Sequence, residues 1–133
     1  MPSIDVIVGL PHRSATRLRR ERVRTTEGLL RRAATAEGRA ELSEATGIPV
    51  DDLLTWCRVA ELISIRGVGG EYARLLTDAG VETLADLART EPTELIVALS
   101  HRNGSQRVVQ RLPTAPMVAE WVAAAAERSS AIT

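Results

Sequence analysis

The sequence predicts an all-α fold made of two copies of one four-helix unit, packed together as a single body. Three observations lead there. Apolar residues return at i, i+3, i+4 spacing between recurrent cap signals, and no alternating strand pattern competes with them. Ala and Leu, both good helix formers, supply much of the apolar mass, while Phe is absent and only Tyr72, Trp56 and Trp121 are aromatic. Finally, the chain repeats itself. Shifted by 58 residues, Ile7 to Arg31 falls on Ile65 to Arg89, pairing Gly9 with Gly67, Ala15 with Ala73, Leu18 with Leu76, Val23 with Val81, Thr25 with Thr83 and Leu29 with Leu87.

Each element has its own signals. Ser14 to Arg22 carries Ala15 and Leu18 at helical spacing. Thr25 or Thr26 caps a short helix ending near Arg32, and Thr35 caps one that runs to about Thr46 and stops at Gly47. Pro49 suits a first turn, Asp51 and Asp52 favour that N-terminus, and Leu53, Trp56, Val59, Ala60 and Ile63 form one buried face. After "GVGG" comes a helix from Glu71 to Asp78, closed by Gly80 in the left-handed conformation. Thr83 and Asp86 make a shortened capping box, and Thr93 opens a helix to about His101. "RNGSQRVVQRLPTAP" reads as the longest irregular stretch, with room for an extended piece, before a last helix in "PMVAEWVAAAAER". The final residues read as frayed.

The repeat runs on with small gaps, matching Gly47 to Gly104 and Trp56 to Trp121 across a longer loop. It divides the chain into residues 1–62 and 63–133, with no linker between. Trp56 and Trp121 occupy equivalent places and are expected as core anchors.

Charge narrows the function classes. Net charge is zero and every basic residue is Arg. Eight arginines lie between His12 and Arg32, whereas Glu41 to Ser100 holds eleven acids against four arginines. A basic end and an acidic middle fit either a nucleic-acid-facing surface or complementary patches for self-association or a protein partner. No apolar run approaches the roughly 20 residues that span a bilayer, and no basic segment precedes an apolar leader, so a cytoplasmic protein without a membrane partner is expected. The single Cys57 rules out an internal disulfide and any multi-cysteine zinc site, and reads as a buried structural thiol. His12 reads as a surface residue, His101 has no second ligand at metal spacing, and no Ser or Thr stands beside a His in a nucleophilic constellation. The expectation is a non-enzyme without metal or small-molecule substrate.

At "IRGVGGEYARLLTDAGVETLADL" the chain resembles the helix-hairpin-helix family, whose fold is SAM-like. Ile65, Gly67, Val68, Gly69, Ala73, Leu76, Gly80, Val81, Thr83, Asp86 and Leu87 carry the match. "VIVGLPHRSATRLRRERVRTTEGLL" matches more weakly. Over nearly its whole length the chain also resembles a bacterial domain family of unknown function with two such units, through "AEGRAEL", "DDLLTW" and "QRLP…AEW".

The resemblance implies a sequence-nonspecific DNA-binding module. Backbone amides at a helix N-terminus, aided by the helix dipole, suit a phosphate, and glycines let it come close. Carried over, the second hairpin would offer Arg66, Gly67, Val68, Gly69, Gly70 and Arg74. The basic first copy would add Arg13, Arg17, Arg20 and Arg24. In relatives, hairpin carbonyls also hold a monovalent cation, so one is implied at the second hairpin. Two residues oppose this. Glu71 stands in the first turn of the second hairpin's helix and repels an anion, and Pro11 removes a donor from the first hairpin. The same glycines serve simply as tight corners, so the alternative expectation is a protein-interaction or scaffold module in which the hairpins are purely structural.

Overall fold

A computed structural model describes residues 2–107 and 109–133. Among these the protein is all-helical, apart from an isolated bridge between Ser3 and Thr25. A 3-10 turn at Ile4–Val6 precedes α1 (His12–Arg20), α2 (Thr26–Ala33), α3 (Ala36–Thr46), α4 (Val50–Ile63), α5 (Gly70–Asp78), α6 (Leu84–Ala88), α7 (Pro92–Gln106) and α8 (Ala115–Ala126).

Local chemistry sets most of the boundaries. The Thr25, Thr35, Thr83 and Thr114 hydroxyls accept from the main-chain N–H three residues on, satisfying donors that a helix start leaves orphaned. At α6 the box is reciprocal, because the Asp86 carboxylate accepts the Thr83 N–H in return. Gly47 ends α3 with φ +76°, and Gly80 follows α5 with φ +92°. Helices this short do not stand alone in water, so tertiary packing must hold them.

The main chain repeats the duplication. Leu10 N–H donates to Ile7 O at 3.2 Å, and Val68 N–H to Ile65 O at 3.0 Å. Val23 N–H donates to Leu18 O and Val81 N–H to Leu76 O, each at 2.9 Å. Gly9 and Gly67 turn with φ +91° and +90°. Packing repeats as well: α2 lies on α4 as α6 lies on α8, α1 touches α3 as α5 touches α7, and α3 meets α4 as α7 meets α8. Contact between α4 and α5 joins the halves, and a single continuous apolar cluster runs from Ile4 to Ala125. Trp56 and Trp121 are both buried in it. Each fully buried Leu stabilises the fold by about 1.5–3 kcal/mol relative to exposure. Leu18, Leu29 and Leu42 do this in the first half, and Leu76, Leu87 and Leu99 in the second.

Several expectations change. The first helix spans His12–Arg20 and ends two residues earlier than expected, because Arg22 turns with φ +64° where the second copy has Gly80. Pro49 is the N-cap of α4 rather than part of its first turn. The helix opened by Pro92 continues through "RNGSQ" to Gln106. Gly104 lies inside it, and the left-handed closure that Gly47 gives α3 comes instead from Arg107, φ 52°. An interior glycine costs only about 1 kcal/mol relative to Ala, and Asn103 ties the following loop down. Its side chain donates to Val109 O at 3.0 Å and accepts from Val109 N–H at 2.9 Å. No extended strand forms there among the described residues, and Val108, within the same stretch, lies outside them.

The last residues are not frayed. Thr133 N–H donates to Ala34 O at 2.8 Å, Ala131 N–H to a Glu61 carboxylate oxygen at 2.8 Å, and Ser130 Oγ to the other at 2.7 Å. The segment leaves α8 and closes over the first half of the chain.

Candidate nucleic-acid interface

The connection from α4 to α5 is built around a buried pair, Ile65 and Val68, that pins a turn whose remaining residues face outward. Its three glycines have three different reasons to be glycine. Gly67 adopts a positive φ, and a Cβ there would lie 3.1 Å from the Trp121 indole nitrogen. Gly70 has no room for a side chain, since a Cβ would stand 1.8 Å from Val6 O. Gly69 has an extended φ of −88°, and a Cβ there would meet nothing within 4 Å. The fold explains Gly67 and Gly70 and makes no steric demand at Gly69, the N-cap of α5.

Because α5 lacks a side-chain cap, its first-turn amides at Gly70, Glu71 and Tyr72 have no intrahelical acceptor. They border an open concavity of about 740 Å³ whose far wall includes Val109 and Arg111. Tyr72 holds that wall. Its hydroxyl donates to Arg111 O at 2.9 Å, and its ring tilts 52° against Trp121, with centroids 5.3 Å apart. Arg66 and Arg111 are exposed here, and so is Glu71, which also lines the concavity. Val68 differs from the other predicted residues of this turn, because its side chain is buried and its N–H is spent on Ile65 O.

Arg74 points elsewhere. Its Nε donates to both Asp78 carboxylate oxygens at 3.1–3.2 Å, and its Nη1 lies 3.6 Å from where a Gly9 Cβ would be. The arginine expected to serve the second hairpin thus stands beside the first. Val8, Gly9, Trp56, Gly70, Arg74 and Asp78 all line one concavity of about 280 Å³, so the two glycine turns are neighbours.

At the turn before α1, Pro11 caps the helix without a side-chain bond and contributes no N–H. Arg13, Arg17 and Arg20 follow at i, i+4, i+7, a stripe opposite the buried Ala15 and Leu18. Arg13, Arg20 and Arg24 are exposed and form no ion pair among the described residues. Arg17 is half-buried and donates to Thr46 O at 3.4 Å, at the C-terminal end of α3. Arg17 and Arg20 line a separate concavity with Thr46 and Gly47. The cluster is partly neutralised from within, by Asp5 against Arg19 and Glu21 against Arg32. The Arg19 hydrogen bond to Asp5 holds that carboxyl below its ordinary value.

Elsewhere the chemistry is quiet. Cys57 is fully buried, burial pushes its thiol up to about 11, and its Sγ donates to Ala33 O at 3.4 Å. Among the described residues no three His, Cys, Asp or Glu could hold a metal ion, and no helix is long and apolar enough to cross a membrane.

Sequence reasoning missed Arg111, although it sits in the quoted "QRLP". It also missed that Arg39 and Glu61 are buried. Glu61 carried the available signal, standing between Ala60 and Leu62 in the apolar run of α4. Residues 9–128 match the family described as Domain of unknown function (DUF4332). Neither the curated proteins nor the solved structures yield a match.

Proposed function

Because the chain belongs to this DUF4332 family, whose description carries no activity, we propose its function from the geometry: a non-catalytic module that binds the DNA backbone without sequence preference. In this reading the halves are tandem helix-hairpin-helix units, 1–62 and 63–133. The observation that carries it is the adjacency of the two glycine turns, Gly9 and Gly70 lining one concavity with Arg74 between them. Adjacent turns suit neighbouring phosphates of one backbone. The uncapped start of α5 supplies N–H donors, with Gly69 open to close approach. Arg66 supplies charge at the second turn, and Arg13, Arg20 and Arg24 supply it along the first unit. Carbonyls of the 65–69 turn would hold a monovalent cation against a phosphate. Ile65 O accepts the Val68 N–H and keeps a second lone pair for such a role.

The test is fluorescence anisotropy with a generic duplex at about 50 and about 200 mM salt. Each neutralised phosphate steepens the log–log salt slope by about 0.9. Binding that weakens steeply with salt, and that is lost in Arg13→Glu/Arg20→Glu with helicity intact, supports the reading. Absence of binding at micromolar protein in low salt sinks it.

A second reading, a protein-interaction or scaffold module, is favoured by Glu71 at the mouth of the larger concavity and by Pro11 at α1. Light scattering and pull-down test it, and a monomer that captures nothing counts against it.

A further inference from the structure

Helices α1 and α3 carry stripes of opposite charge at the same spacing. Arg13, Arg17 and Arg20 recur at i, i+4, i+7 along α1, and Glu37, Glu41 and Glu44 do so along α3. Each stripe lies on the side away from its helix's buried residues, Ala15 and Leu18 in α1, Leu42 and Thr46 in α3. The three glutamates are exposed, as are Arg13 and Arg20, and none of these five is in an ion pair among the described residues. The acids that do neutralise the basic cluster are Asp5 and Glu21, which take Arg19 and Arg32 instead. Like charges at i, i+4 weaken the helix that carries them. Each stripe therefore burdens its own helix, and although α1 touches α3 the two stripes do not pair within the chain.

The stripes fit each other. On both helices the first and last charges stand seven residues apart, about 10 Å along the axis. Laid parallel, α1 of one copy and α3 of another oppose Arg13 to Glu37 and Arg20 to Glu44, with Arg17 facing Glu41. Ala40 and Ala45, exposed beside the glutamates, leave a guanidinium room to approach. The net charge of zero lets copies meet without overall repulsion. We infer that the glutamate face of α3 is a docking surface whose occupant is the arginine face of α1 from a second copy of this chain. This names a partner for the protein-interaction reading and rests on that reading, not on DNA binding.

Exposed ion pairs are individually weak, so sedimentation equilibrium needs about 1 mM protein. The weight-average mass should stand well above the monomer in about 20 mM salt and fall to the monomer in about 300 mM, where screening cuts the reach of a charge below about 8 Å. Arg13→Glu/Arg20→Glu should be monomeric in both, and so should Glu37→Arg/Glu44→Arg. Joined in one chain, these four substitutions exchange the stripes, return the net charge to zero and should restore the association. A control chain, Arg13→Glu/Arg20→Glu/Glu120→Arg/Glu127→Arg, has the same net charge but places its new arginines on exposed positions at α8, and should stay monomeric. Circular dichroism first establishes that each chain folds. One that does not is replaced by its single-pair form, Arg20→Glu with Glu44→Arg or with Glu127→Arg. A wild type that stays monomeric in low salt overturns the inference. So does association that survives in either double variant, that the exchanged chain fails to regain, or that the control regains. Pull-down still decides the wider interaction reading and anisotropy the DNA reading, so the three failures are told apart.

Discussion

The carbonyl oxygen of Val6 lies against Gly70, at a position 1.8 Å from where a Cβ would begin. The main chain of the N-terminal 3-10 turn thus packs directly on the start of α5. Gly70→Ala forces the Val6 turn to shift, and overpacking of this kind typically costs about 1–3 kcal/mol. Thermal unfolding should register that loss despite the better helix propensity of Ala. Gly69→Ala, with open space around it, should cost less, about 0.5–1 kcal/mol for a poorer N-cap. Equal melting temperatures for the two variants would show that the contact is soft.

Arg22 and Gly80 stand 58 residues apart, at matching places in the sequence repeat, with φ +64° and +92°. Only glycine takes this conformation without steric cost. Arg22→Gly is therefore expected to stabilise the protein by about 0.5–1 kcal/mol in urea unfolding, and Gly80→Ala to destabilise it by about 1 kcal/mol. Effects of the same sign would refute the equivalence of the two turns.

Glu71 should pull in opposite directions. An acidic residue in a first helical turn contributes about 0.3–1 kcal/mol to stability, while the same charge repels a phosphate approaching the α5 amides. Glu71→Gln is expected to lower stability by a few tenths of a kcal/mol and to tighten duplex binding about threefold. If affinity is unchanged while wild type binds DNA, the second hairpin lies away from the bound backbone.

Acid should loosen α6 through Asp86. Burial alone would raise this carboxyl, but hydrogen bonds from the Glu82 and Thr83 N–H groups and the Thr83 hydroxyl, with the Arg89 charge, outweigh it and hold it below the ordinary 3.8. A depressed folded pKa means stability present above the unfolded value and lost as pH falls through the folded one. As pH falls below the ordinary 3.8, wild type should lose more stability than Asp86→Asn, which cannot titrate. Parallel urea-midpoint curves for the two proteins over that range would exclude the contribution.

What the sequence revealed and what it hid divide by range. Threonine caps, Gly47 and Gly80, the Thr83–Asp86 box and the apolar face of α4 are decided within four or five residues, so pattern reading finds them. Residues 102–106 were expected to be irregular, yet the helix runs through them because a residue within it ties the following chain back. Asn103 does so here through Val109, six residues away. At the candidate site, the glycine turn and the arginine stripe were readable. The turning of Arg74 toward Gly9 was not, nor was the part of Tyr72 in holding Arg111, since both depend on which elements meet in space. Glu61 and Arg39 were hidden by the longest separations of all.

Those separations bear on the order of events in folding. Most helix pairs here are close in sequence, α2 with α3, α3 with α4, α7 with α8, and such contacts form early because little chain entropy is spent in closing them. The bond from Arg39 to Thr133 spans 94 residues. Helices α2, α3 and α4 therefore pack first with Glu61 and Arg39 still hydrated, and the arrival of Ser130–Thr133 is the step that dries them. Refolding followed at the closing segment should lag behind refolding followed at Trp56, and the interval between them is how long the two charges stay wet.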